Sequence, residues 1–375
     1  MSPSTSDPKK IAGKPAAQFD PDAVVFSGDG EPQTPESLLA KLQDLHASGH
    51  LNPDSYALGG SVEALEARCA KVLGKPAAIW FPTGTLANHM AIRRHCGMNP
   101  RAFIQEQSHI YHDEGDGLAR LSGINAVPLA KGRPYFTAAE LETALQEAGA
   151  GRVVTPPGVV VVESPVRRQA GQIAPWNEMT DISDLCRSRG VPSHLDGARL
   201  FMMSAATGIG IREYAALFDS VYISMYKYFG APFGAILAGT QDFIEDMYHD
   251  RRMFGGGLSS AYLPTALALR GMDGFEQRFG EAMSKAGKLF DPLNQLPGIT
   301  VRRFEHGSNI VELDLGEDLD VILFIASLLE TGIVIAPPSV DWPVALLHVN
   351  TTILRKSNQE IVKAFTAAAT SAQTS

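Results

Sequence analysis

Residues 223–239, ISMYKYFGAPFGAILAG, set one lysine, Lys227, inside an apolar, aromatic, glycine-rich run. An unpaired ammonium costs several kcal/mol to bury. Its amine therefore either snorkels to water or is consumed by chemistry that removes its charge. Three other stretches bear on the choice. FPTGTLANHMAIRRH places Thr83-Gly84-Thr85 where an apolar run gives way to a helical pattern. Free amides and hydroxyls there make an anion cradle suited to phosphate, although an ordinary helix cap with a turn glycine reads the same way. QSHIYHDEGDG brings His109 and His112 just past the run AFIQ. A histidine pair could bind metal, but no third ligand follows at a familiar spacing, so no metal is expected. SHLDGARL ends a run on Asp196 and Arg199, which could equally be a structural ion pair.

Taken in order, a phosphate cradle, an imidazole, a strand-end aspartate and a later lysine are what pyridoxal phosphate requires. Lys227 would form a Schiff base, which removes the buried charge. Asp196 would pair with the pyridine nitrogen and keep it protonated, so that the ring accepts electrons. The imidazole would stack on the ring. Other templates fail: GxxxxGK[ST] is absent, GGGLSSA lacks a nucleophile elbow, HASGH lacks the glutamate of HExxH, and the glycines near Gly208 lack the third of a dinucleotide loop.

The elements that must position these groups follow from the texture of the chain. Short apolar runs (AAIWF, AFIQ, VVVVES, SHLDGA, SVYISM, AILAG) alternate with amphipathic stretches such as SVEALEARCAKVL and NEMTDISDLCRSRG. Unalternating runs of four to seven apolar residues describe strands buried on both faces. Their alternation with helices predicts an α/β fold with a mostly parallel sheet, whose ligands bind at the carboxyl ends of the strands. TPESLLAKLQDLHAS predicts a helix capped by Thr34 or Ser37. Residues 1 to about 22 read as a mobile tail, 23–274 as an N-terminal segment plus a large cofactor-binding domain, and 275–375 as a small α+β domain. The 375 residues exceed a usual single core. Hydrophobic content of 45% against 19% charged residues describes a well-buried globular chain. A net charge of −9 without a basic stripe argues against nucleic acid. Three cysteines without CxxC spacing give no disulfide framework. No apolar run reaches membrane-spanning length, and no apolar signal core opens the chain, so the expected compartment is the cytoplasm.

The stretches PTGTLAN, SHIYHDEGDG, HLDGARL, FDSVYISMYKYFGAPFGAILAG and RRMFGGGL resemble the threonine aldolases of the aromatic amino acid β-eliminating lyase/threonine aldolase family. The resemblance runs from about residue 24 to 275. It implies the aspartate aminotransferase-like fold (fold type I), pyridoxal 5'-phosphate as cofactor, and cleavage of a β-hydroxy-α-amino acid to glycine, or an amino acid, and an aldehyde. The alternatives are a β-eliminating or other carbon–carbon lyase and, from another class, an inactive binding protein of this fold. By resemblance Lys227 is the cofactor-bearing lysine and Asp196 the pyridine partner. Gly84, Thr85 and Ser224 are placed with the cofactor, Arg199 with the substrate carboxylate or the ring hydroxyl side, and His109 is the stacking histidine and candidate base. A homodimer or homotetramer is expected.

The departures fall on substrate-anchoring groups. The family's Arg-Ser-Asp-Thr reads Ser27-Gly28-Asp29-Gly30, leaving Asp29 as the substrate-side candidate. Tyr226 and Tyr228 flank the lysine in place of serine and glycine, adding bulk beside it. Ser259 replaces an arginine that reaches a neighbouring subunit, Asn125 a second pocket histidine, and ALLHVNTT lacks an arginine. Arg167 and Arg168, with Arg168 the assigned substrate contact, could compensate; a surface role is the alternative. Threonine is therefore expected to be a poor substrate.

Overall fold

The computed structural model describes residues 19–340 and 342–373. The tail expected over residues 1–22 thus falls almost wholly outside the described residues. In chain order the strands are β1 (Val24–Val25), β2 (Ala77–Phe81), β3 (Arg101–Gln105), β4 (Asn125–Leu129), β5 (Val159–Glu163) and β6 (Ser193–Asp196). They continue with β7 (Ser220–Ser224), β8 (Ala235–Gly239), β9 (Ile299–Arg303), β10 (Ile310–Leu315), β11 (Ile333–Val334) and β12 (Ala345–His348). The chain forms two compact units. The larger holds Leu38–Gly280 and Phe304–Ile310, and the smaller the described residues up to Ser37, Glu281–Arg303 and those from Val311.

The larger unit is built on a seven-stranded sheet in the order β2-β8-β7-β6-β5-β3-β4. Strands β7, β6, β5, β3 and β4 are mutually parallel. Only β8 runs against its neighbours, pairing antiparallel with β2 and β7. Strand β2 therefore points the same way as the parallel five, and its last residue, Phe81, ends on their carboxyl edge. Every residue of β5, β7 and β8 is buried, as the unalternating runs require. Helix Gly84–Cys96 lays Ala87, Met90 and Ala91 on Ile79, Phe81, Tyr222 and Leu237, one face of the core. No helix among the described residues is long and apolar enough to cross a membrane.

The smaller unit has an antiparallel β9–β10 pair extended by β12, with helices Val321–Glu330 and Asn358–Ser371 closing its core. Its boundary differs from the sequence expectation, which put residues 23–37 with the large domain. Val24 and Val25 pair in parallel with Ile333 and Val334 of β11, and Asn350 Nδ2 donates to Val25 O at 2.8 Å. Burial against residues some 300 positions away leaves no local sequence signal. Residues 304–310 instead belong to the larger unit, where Ile173 N donates to His306 O at 2.8 Å.

Candidate active site

A cavity of about 320 Å³ opens at the carboxyl edge of the sheet, within the size range of small-molecule sites. Its floor is set by register. Glu163 of β5 pairs with Asp196 of β6, which pairs with Tyr222 of β7, so three consecutive strands send side chains to one face.

Asp196 is 3% exposed. Its Oδ2 accepts from Asn88 Nδ2 at 2.7 Å and its Oδ1 from Ala198 N at 3.2 Å. Glu163 Oε2 accepts from His109 N at 2.6 Å, and Oε1 from Arg167 N at 3.0 Å. Its carboxylate therefore ties together the loops that follow β3 and β5. Burial, reinforced by the negative charge of Asp196, pushes the Glu163 carboxyl up to about 7. Burial also raises the Tyr222 phenol well above its ordinary value.

After β2, helix Gly84–Cys96 starts at Thr83, whose hydroxyl accepts from Leu86 N at 3.1 Å. The first-turn amides of Gly84 and Thr85 have no intrahelical partner, and both residues line the cavity. A Cβ on Gly84 would lie 2.0 Å from the Oη of the buried Tyr222, so a larger residue here would displace that side chain.

His109 opens the short helix His109–His112 beyond β3. Its Nδ1 lies 3.0 Å from Oε1 of the buried Glu114. That hydrogen bond raises the imidazole above its usual value against the opposing effect of burial, while burial raises Glu114 itself. The pair therefore holds a proton more firmly than either group would alone. His112 turns away to Glu106 at 3.3 Å.

Lys227, Arg199, Asp196, His109, Gly84 and Thr85 all line this one cavity. Lys227 is half-buried, with Nζ over the Tyr226 ring at 5.2 Å from its centroid. Ser224, the last residue of β7, is fully buried and lies outside the lining. Two expectations are corrected. Arg168 pairs with Asp113, Nη1 to Oδ1 at 3.1 Å, and is outside the cavity lining, whereas its neighbour Arg167, whose Nη1 lies 3.9 Å from the same carboxylate, also lines the cavity. Tyr228 adds no bulk at the lysine, because it is buried among Phe201, Phe229 and Phe275; Tyr226 and Phe233 line the cavity instead. Asn125 sits at the amino end of β4 beside Arg101, on the edge opposite the cavity. Asp29 belongs to the smaller unit.

Sequence reasoning missed Glu163, Glu114 and Asn88. Each had a signal: a carboxylate ending four valines, a glutamate five residues after His109, and a polar residue one helical turn beyond Gly84.

Residues 41–315 match the family model for beta-eliminating lyases. The low-specificity L-threonine aldolase of Candida albicans is 32% identical over 237 residues, 62% of this chain and 63% of its own length. Aldolase vrtJ of Penicillium aethiopicum is 33% identical over 253 residues, 66% of this chain and 62% of its own length. The match thus spans less than two thirds of either relative. A crystal structure from Exiguobacterium sp. 255-15, described as an aromatic amino acid beta-eliminating lyase/threonine aldolase, superposes with a TM-score of 0.79 at 26% identity, covering 94% of this chain and 98% of its own. The architecture is the aspartate aminotransferase-like fold type I, and the chain belongs to the beta-eliminating lyase family.

Proposed function

We propose that the protein is a pyridoxal phosphate-dependent lyase that cleaves the Cα–Cβ bond of a β-hydroxy-α-amino acid, releasing glycine, or another amino acid, and an aldehyde. The observation that carries this reading is the convergence of Lys227, Asp196 and the Thr83–Gly84–Thr85 helix start on one cavity. The donor set fits the cofactor's three handles: an amine for the aldehyde, a carboxylate for the ring nitrogen, and a helix N-terminus for the phosphate. Ser224 is assigned to the same group by resemblance; its buried Oγ lies against the Tyr222 phenol, to which it hydrogen-bonds. When bound, pyridoxal phosphate supplies an electron-withdrawing ring that stabilises negative charge at Cα.

The chain's own residues supply the rest. Asp196, pinned by Asn88, would hold a proton on the ring nitrogen. Arg199 and Arg167, which line the cavity, would offer guanidinium groups to the substrate carboxylate and so orient the substrate for cleavage of its Cα–Cβ bond. The assignment of Asp29 to substrate rests on its place in the Ser27-Gly28-Asp29-Gly30 segment. The His109 imidazole, which lines the cavity, would lie against the ring and take the proton from the β-hydroxyl oxygen, and Glu114, hydrogen-bonded to its Nδ1, would stabilise the resulting cation. Tyr226 and Phe233 favour a larger β-substituent than the methyl of threonine. Assembly as a homodimer or homotetramer and a cytoplasmic place of action belong to the same proposal.

The test compares glycine-plus-aldehyde production from threonine, phenylserine-like and α-substituted β-hydroxy amino acids. A larger or α-substituted substrate is expected to show the highest kcat/KM. Threonine ranking first would overturn the substrate assignment; ammonia and a keto acid as products would make the protein an eliminating lyase.

A further inference from the structure

A chain of buried polar side chains runs through the larger unit to Asp196. His95 Nε2 lies 2.7 Å from Ser220 Oγ, and Ser220 Oγ lies 2.8 Å from His194 Nδ1. His194 Nε2 lies 3.1 Å from Asn88 Oδ1, and Asn88 Nδ2 donates to Asp196 Oδ2 at 2.7 Å. His194, Ser220 and Asn88 are each at most 1% exposed. The far end, His95, stacks on Phe243 at 4.3 Å and lines a second cavity with Asp219 and Thr240.

The proton positions follow from one fact: a carboxylate only accepts. Asp196 must therefore meet the Asn88 NH2 group, which turns the Asn88 oxygen towards His194. That oxygen can only accept, so His194 carries its proton on Nε2. With both nitrogens thus engaged, His194 Nδ1 accepts from the Ser220 hydroxyl, and Ser220 in turn accepts from His95 Nε2–H. Every donor along the chain points towards Asp196. A neutral His194 suits this order, and burial does push its imidazole down to about 3. Asn88 also hydrogen-bonds Glu114, the partner of His109.

We infer that Asn88 and His194 are positioning residues for Asp196: neutral, Nε2-protonated His194 fixes the Asn88 amide, which orients the Asp196 carboxylate for the ring nitrogen. This rests on the pyridoxal phosphate reading above. Without the His194 donor the Asn88 oxygen loses its partner, and the amide is held only from its NH2 side, by Asp196 and Glu114. The conservative replacement is glutamine, whose amide nitrogen occupies the Nε2 position.

The experiment measures the pyridoxal phosphate Kd of the full chain by absorbance for wild type, His194→Leu, His194→Gln and Asp196→Asn, and for the first two substitutions in the Asp196→Asn background. Losing a hydrogen bond that supports a charged group should weaken binding about tenfold or more in His194→Leu, and His194→Gln should recover most of it. In the Asp196→Asn background the His194→Leu effect should vanish, because its target is gone. An equal effect in both backgrounds, or no effect in either, overturns the inference. Failure of the wild type to take up pyridoxal phosphate overturns the cofactor reading itself. A measurement without variants guards against misfolding: 15N NMR of wild-type His194 should show the neutral Nε2–H tautomer, and an Nδ1–H tautomer or a cation at neutral pH contradicts the chain.

Discussion

At the scale of single residues, the proposed role of His109 as base makes the His109–Glu114 pair set how activity depends on pH. The hydrogen bond to Glu114 raises His109 above its usual value, and a base works only once it has lost its proton. Cleavage should therefore rise with pH through this elevated titration. In Glu114→Gln the neutral amide removes the cause of the shift, so the ascending limb of kcat/KM should move to lower pH. The plateau should also fall, by about tenfold or more, because the protonated imidazole loses its counter-charge. Parallel pH profiles check this, and an unmoved limb would show that His109 is not the base. Residues at this scale were legible where a local pattern marked them. Asp196 ends an apolar run, Gly84 and Thr85 open a helix, and Lys227 is the one charged residue inside an apolar stretch. Arg168 was read as the substrate contact although Arg167 is the one that lines the cavity, because no sequence period separates two adjacent arginines that both reach Asp113.

At the scale of elements, the segment that carries Lys227 is held by aromatic packing and one close backbone approach. Phe229 is 1% exposed and meets Phe201 and Phe275 edge-on, with centroids 4.9 and 5.0 Å away. Its carbonyl lies against helix Tyr262–Met272, so near that a Cβ on Gly271 would stand 1.7 Å from Phe229 O. Backbone cannot yield as a flexible side chain can. Gly271→Ala should cost about 1–3 kcal/mol or more, lowering the melting temperature by several degrees. A melting temperature equal to that of wild type in thermal denaturation would contradict the close approach. The parallel strands were legible because burial on both faces leaves unbroken apolar runs. The role of Glu163 was not, since it exists only once β5 lies beside β6 and brings its carboxyl to Asp196. Strand β1 was hidden for the same reason, its partner β11 being remote in sequence.

At the scale of the whole molecule, the proposed assembly is at least a homodimer. Ser259 stands where the family's arginine reaches a neighbouring subunit, and its own carbonyl accepts from Tyr56 N at 3.1 Å. Light scattering at working concentration should give a mass of two or four chains; a fully active monomer would contradict the assembly. The central claim is that this fold brings Lys227 to pyridoxal phosphate, and reductive trapping tests it most directly. Protein loaded with the cofactor is treated with borohydride, digested and mapped by mass spectrometry. The expected result is one modified lysine, Lys227, and no trapping in Lys227→Ala. Modification of a different lysine in the wild type, or undiminished trapping in Lys227→Ala, would contradict it.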